Sequence, residues 1–298
     1  MLRYAKSDMN IYAASIGTPR YYMNFRAEVH SVFSNAVNLL IEDSDEIVSI
    51  LFRNDNDQPG DIRIGLNQHH ILKHFFPGQS IQCQNDIIKT DNSSIKIMLN
   101  QAKLVECGFI SQSKVTTEII ENSIYVIRDT LKEKHLANKV IDDLYNLFSV
   151  KVECSLETLM EAMGSSDMCA LDRAVQGLIG LGAGLTPSGD DVLVGLMAGF
   201  EINKTLFHQR LTNQISNLRS LVLSHIGKTN RISRKYLRYA AYGYFSTDIL
   251  DLLKSIGNKE SQAVIRNAVQ KVVMAGHTSG ADTLMGIATA LEILLIYG

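Results

Sequence analysis
Near Lys114 the apolar residues change their spacing, and that change restricts the fold more than any other feature of the chain. Before it they come in short β-branched runs of strand length: residues 28–35, 36–41, 46–52, 61–66, 86–90 and 94–99. A polar turn cluster, 54–60 (NDNDQPG), separates two of the runs, and one short helix is expected around 68–75. Beyond Lys114, Ile119, Ile120, Ile124, Ile127 and Leu131 recur at helical intervals, and helical patterns continue to the end. The expected class is α+β: a β-rich N-terminal barrel or sandwich, residues 1–112, followed by a helical connector and helical C-terminal domain, residues 113–298.

Several function classes drop out on composition. The net charge is −2 and there is no long basic run, so the electrostatic footprint of a nucleic-acid binder is missing. The apolar stretch 192–200 ends at Glu201, far short of a membrane-spanning helix, and the first fifteen residues do not read as a secretory signal. Four cysteines, Cys83, Cys107, Cys154 and Cys169, show no CxxC pairing and suit a reducing compartment, so a cytoplasmic location is expected. His70 and His74 have a metal-compatible spacing but no acidic or cysteine partner nearby, and the sequence names no metal ligand set.

Three polar, glycine-bearing segments remain, all in the helical half. In the first, 180–191 (GLGAGLTPSGDD), Gly180, Gly182 and Gly184 alternate, then Thr186 reads as an N-cap and Pro187 as the first position of a helix reaching about Asn203. A glycine loop feeding a helix N-terminus is an anion site, because free N–H groups and the positive dipole end face one place. The spacing of Gly184 and Gly189 mimics a P-loop, but Asp190 and Asp191 stand where Lys-Ser/Thr is required. The plainer reading is a tight turn with ordinary N-terminal carboxylates. The second segment, 228–238, holds five of the chain's 29 basic residues just before a helix expected over 236–242. Ser233, Tyr236 and Arg238 are its candidate ligand contacts, whereas Arg234 and Lys235 are expected to face water. The third, 276–283 (GHTSGADT), opens the last apolar helix. His277 stands just outside the helix as a candidate general acid or base, beside Thr278, Ser279 and Asp282.

The first and third segments echo each other. Residues 188–202 and 279–293, ninety-one positions apart, are identical at seven of fifteen positions, including Ser188/Ser279, Asp191/Asp282 and Gly195/Gly286. Each copy opens a helix with Ser-Gly-x-Asp and carries a glycine further in. Two related helical hairpins are expected, their N-termini converging on one site, with Gly195 and Gly286 marking where the helices touch.

At these segments the chain resembles the AllH family, a subunit of bacterial oxamate carbamoyltransferase. The resemblance rests on 182–188 with Asp190 and Asp191, on 233–245 (SRKYLRYAAYGYF), on 276–286, and on a weaker 35–40 (NAVNLL) in the N-terminal half. Ala183 departs from the usual proline, which loosens the loop and adds a backbone N–H. The resemblance implies a reaction between carbamoyl phosphate and oxamate giving oxalurate and phosphate, run in reverse during anaerobic allantoin breakdown, and two further subunits as partners. It implies no certain cofactor; a magnesium ion at Asp190 and Asp191 stays open. His277, Arg238 and Asp191 become the candidate catalytic residues. Gly182, Gly184, Thr186, Ser188, Asp190, Ser233, Tyr236, Thr278, Ser279 and Asp282 become candidate substrate or phosphate contacts. Two other classes compete: a non-catalytic subunit that binds an anionic metabolite, and a nucleotide-dependent small-molecule kinase, against which the missing P-loop lysine weighs.

Overall fold
A computed structural model describes residues 9–19, 24–90, 95–109, 115–137, 143–202 and 209–298. The chain packs as two compact units, Met1–Gly108 and Phe109–Gly298. The expected boundary at 112/113, the period change at Lys114, the first residue of the 94–99 run and the expected helix end at Asn203 all lie outside the described residues.

Among the described residues the first unit is one ten-stranded sheet that curls into a half-barrel. Its strands are β1 (Met9–Tyr12), β2 (Ser15–Gly17), β3 (Phe25–Phe33), β4 (Ala36–Ile41), β5 (Ile47–Phe52), β6 (Ile62–Ile64), β7 (Ser80–Gln84), β8 (Ile87–Thr90), β9 (Ile95–Met98) and β10 (Lys103–Val105). They lie in the order β1-β9-β8-β7-β3-β4-β5-β6-β2-β10, mostly antiparallel, with β1/β9, β5/β6 and β2/β10 parallel. Six strands fall on the runs expected from the sequence. Strand β7 reads SIQCQ: its alternation buries Ile81 and Cys83 and exposes Ser80, Gln82 and Gln84, a half-buried strand hidden by polar outward residues. Strands β1, β2 and β10, of four, three and three residues, fall on no such run. Val29 opposite Leu39 and Leu39 opposite Val48 set the central register, and all three are fully buried. The short helix is a 3-10 turn, Leu66–His74. Its His69 ring nitrogen meets the Ser34 carbonyl, and the ring lies edge-on to Phe52, 6.3 Å between centroids.

The second unit, among the described residues, is nine helices: α1 (Thr117–Ala137), α2 (Asp143–Ser165), α3 (Met168–Leu178), α4 (Ser188–Gly199), α5 (Gln209–His225), α6 (Arg231–Ala241), α7 (Thr247–Gly257), α8 (Gln262–Val273) and α9 (Ser279–Tyr297). Helices α4 and α9 form its centre, with ten of the twelve residues of α4 buried. Helix α9 is long and apolar enough to cross a membrane by length and composition, but 67% of its apolar window is buried within the chain. Among the described residues it is α9 that meets this test, and its hydrophobicity is that of a core helix.

Candidate functional site
The site grows from the crossing of α4 and α9. A side chain on Gly195 would run into the Thr283 carbonyl and crowd the Gly286 backbone, and one on Gly286 would strike the Val192 carbonyl. The two glycines let the helix backbones touch, so the residues opening each helix are brought together. The approach to each helix repeats as well. Gly189 packs against the Leu178 carbonyl at the end of α3 and donates its N–H to Leu181 at 2.8 Å. Gly280 packs against the Val272 carbonyl near the end of α8 and donates to Ala275 at 2.9 Å. The echo in the sequence is thus two copies of one hairpin, α3–α4 and α8–α9. Further along, each helix holds an arginine from a flanking helix: Glu201, just past α4, pairs with Arg219 of α5, and Glu292 of α9 with Arg128 of α1.

The copies differ in their loops. Nine residues, 179–187, join α3 to α4, and five, 274–278, join α8 to α9. The longer loop carries the alternating glycines at φ +74° (Gly180), +123° (Gly182) and +96° (Gly184), a region closed to most L-residues. A Cβ on Gly182 would press on the Ser188 N–H at 2.6 Å, whereas Gly184 faces open space. No backbone N–H of residues 182–186, nor that of Ser188, donates a hydrogen bond among the described residues. Helix α4 opens at Ser188 with Pro187 as its cap, not at Pro187 with Thr186 as cap. The Pro187 carbonyl receives the Asp190 and Asp191 N–H groups at 2.9 and 3.1 Å, which frees the Thr186 side chain for other work.

That work lies across the crossing. Thr186 Oγ1 and Ser279 Oγ stand 2.7 Å apart, and both hydroxyls bond the Asp191 carboxylate. In the mirror arrangement, Ser188 and Thr278 bond the Asp282 carboxylate. The serine of each copy therefore serves the aspartate of the other. Asp191 and Asp282 are 8% and 5% exposed, and Oδ2 of each is buried with no hydrogen-bond partner. Burial pushes the Asp191 carboxyl up to about 8 against the Ser279 hydrogen bond, helped by the neighbouring Asp282 charge. Burial raises Asp282 as well; the Ser188 and Thr278 hydroxyls and the Lys134 ammonium oppose it.

Asp190 does a different job. Its Oδ1 accepts from the Gly180 N–H at 2.7 Å, and its Oδ2 accepts from the Ser233 hydroxyl at 2.6 Å and from the Thr229 hydroxyl. Burial raises this carboxyl while the three donors work the other way. Asp190 and Ser233, each 1% exposed, tie the glycine loop to the start of α6. Helix α6 begins at Arg231, capped by Asn230, five residues earlier than the sequence implied, and this turns Ser233 inward. Lys235, expected in water, is 5% exposed, its ammonium 5.5 Å from the Tyr236 ring centre. Arg234 is half-buried and bonds the Thr229 and Gly227 carbonyls. Arg238 and Tyr236 are half-buried on α6, and His277 is exposed on the turn before α9.

Two participants escaped the sequence reading. Thr229 sits next to the Asn230 cap inside a segment already singled out, so its polar setting was a usable signal. Lys134 of α1 has none: it belongs to an ordinary helical charge pattern, yet it lies near Asp282 and donates to the Val273 carbonyl at 2.8 Å. Burial draws its ammonium below the usual lysine range, and Asp282 partly restores it.

Residues 178–291, which hold the whole glycine loop, α4, α6 and the opening of α9, match the family described as oxamate carbamoyltransferase subunit AllH, and 13–104 match the AllH family N-terminal domain. The chain belongs to the AllH family. The two AllH matches cover most of the chain, the first within the helical unit and the second within the curled sheet. Lys134 falls in neither. No solved structure matches this AllH chain.

Proposed function
We propose that this AllH-family chain binds carbamoyl phosphate and oxamate in the reaction that forms oxalurate and phosphate, together with two other subunits in the cytoplasm, and that the reaction runs in reverse in anaerobic allantoin breakdown. The observation that carries the reading is the row of uncommitted backbone N–H groups at 182–186 and Ser188, at the mouth of a helix N-terminus. Such donors suit a phosphoryl group, because they supply partial positive charge without a side chain that must be ordered. Carbamoyl transfer moves the carbamoyl carbon from a phosphate oxygen to the oxamate nitrogen, and the amide proton leaves as the C–N bond forms. Negative charge develops on the carbonyl oxygen and on the departing phosphate, where fixed donors are most effective. In this reading Gly182, Gly184, Thr186 and Ser188 form the phosphate cradle, and Asp191 and Asp282 hold the hydroxyls of Ser279, Thr186, Ser188 and Thr278 in place. Arg238 receives the oxamate carboxylate with Tyr236 beside it, and His277 accepts or returns the proton. Asp190 and Ser233 act on the substrate only through the loop they anchor.

The test is calorimetry of the purified chain with phosphate and with carbamoyl phosphate, beside assay of phosphate release in the three-component mixture. Binding of either anion that Gly184→Val removes supports the reading; no binding to the chain or the mixture sinks it. A second reading has its own support: the family is described as a subunit, and a chain that binds the anion while a partner performs the chemistry fits that description. Activity of the purified chain alone, against the mixture, separates the two.

A further inference from the structure
We propose that the crossing of α4 and α9 holds a small divalent cation of the hard, oxygen-preferring class, Mg2+ foremost, between the carboxylates of Asp191 and Asp282. Nothing in the family description assigns a metal, and the site stands whether or not the chain transfers carbamoyl groups. Both carboxylates are more than nine-tenths buried, and each keeps one oxygen without a hydrogen-bond partner. Buried acceptors without partners are rare, and buried charges are tolerated only when compensated.

The protein groups around them supply that compensation only in part. The hydroxyls of Thr186, Ser188, Thr278 and Ser279 already bond the pair, yet both Oδ2 atoms are left over. In the ionised form that binds a cation the pair carries two negative charges, of which two helix N-termini of about half a positive charge each offset one. Lys134 stands near enough to Asp282 to favour its charge, but it makes no hydrogen bond to the leftover Oδ2.

The donor set then selects the ion. The side chains that bond the two carboxylates are all hydroxyls, and no group of three or more His, Cys, Asp or Glu able to hold a metal occurs among the described residues, which disfavours zinc and copper. Mg2+ is usually bound through only one or two carboxylates, with water and substrate phosphate filling its shell. The repeat adds symmetry: each helix contributes one aspartate and one serine at matching positions.

The test uses the full chain without substrate and Mn2+ as the spectroscopic stand-in, followed by electron paramagnetic resonance and displaced by Mg2+. One Mn2+ per chain is expected, bound at least tenfold more weakly in Asp191→Asn and in Asp282→Asn and unchanged in Asp251→Asn, a variant at an exposed carboxylate on α7. Wild-type protein that binds no Mn2+ at millimolar concentration, or asparagine variants that fold and bind as tightly as wild type, overturn the proposal. Should both variants fail to fold, the anomalous peak of Mn2+ in wild-type crystals decides: a peak between the two carboxylates supports the site, and its absence there refutes it. None of these readouts uses carbamoyl transfer, so the cation site and the proposed reaction fail separately.

Discussion
Gly184 and Gly182 illustrate how two residues of one type can be required for different reasons. Gly182 is fixed by contact, since any side chain would press on the Ser188 N–H, while Gly184 is fixed by its φ of +96° alone. Valine at 184 forces the loop out of its left-handed turn and turns its N–H groups away, but removes no buried contact. Gly184→Val is therefore expected to weaken phosphate binding at least tenfold in calorimetry while the thermal melt of the helical unit stays within a few degrees. Arg238 obeys a different rule. Arg238→Lys keeps the charge and loses the planar fork, so the reconstituted complex should show a raised KM for oxamate with little change in stability. An unchanged KM in this variant and unchanged turnover in His277→Ala would remove both residues from the site. The alternating glycines, Asp191 and Ser279 were legible as single letters, because glycine and helix-opening carboxylates carry local meaning. The fate of Asp190 was not. Whether a carboxylate in the first turn faces a ligand or a neighbouring helix depends on α6, which lies about forty residues away in the chain.

At the scale of elements, the echo between 188–202 and 279–293 was the strongest signal, and it predicted the contact of Gly195 with Gly286. Its physical basis is that close backbone packing leaves only glycine at the touching positions. Gly286→Ala is thus expected to destabilise the helical unit by ~1–3 kcal/mol, the usual range for overpacking, read from the urea midpoint. Unaltered stability would mean that the helices separate at no cost. The start of α6 was misjudged because charge runs usually mark solvated faces, and here Lys235 points inward while Asn230 caps the helix. A second test joins α3 to α5, where the His225 ring nitrogen meets Asp172 at 2.6 Å. That hydrogen bond holds the Asp172 carboxyl below the ordinary carboxylate value. A group whose folded pKa is depressed contributes stability above its unfolded pKa, near 3.9, and loses it as pH falls through the folded value. Asp172→Asn should therefore lower the Tm at pH 7 by a small amount, the pair being partly exposed, and the difference should close as pH drops below about 3.9.

Over the whole molecule, the split into strands and helices was readable because period two and period 3.6 leave different traces. The curl of the sheet was not readable, because short strands such as β2 and β10 find their neighbours only in the finished fold, β2 lying between an antiparallel β6 and a parallel β10. The four cysteines divide by unit. Cys83 and Cys107 lie buried in the sheet unit, and Cys154 and Cys169 are exposed on helices α2 and α3. Burial, reinforced by the charges of Asp57 and Glu106, lifts the Cys107 thiol to about 12. At pH 9, three units lower, only about one Cys107 in a thousand is a thiolate, and the thiolate is the reacting species. A native sample treated with a thiol reagent at pH 8–9 should thus label two cysteines quickly, both in peptides from the helical unit by mass spectrometry. Cys83 and Cys107 should label only after denaturant unfolds the sheet, and their release should track the loss of β-structure in circular dichroism. Rapid labelling of Cys107 in the native state would mean that the segment around β10, which hands the chain from the sheet to the helices, opens far more readily than its packing predicts.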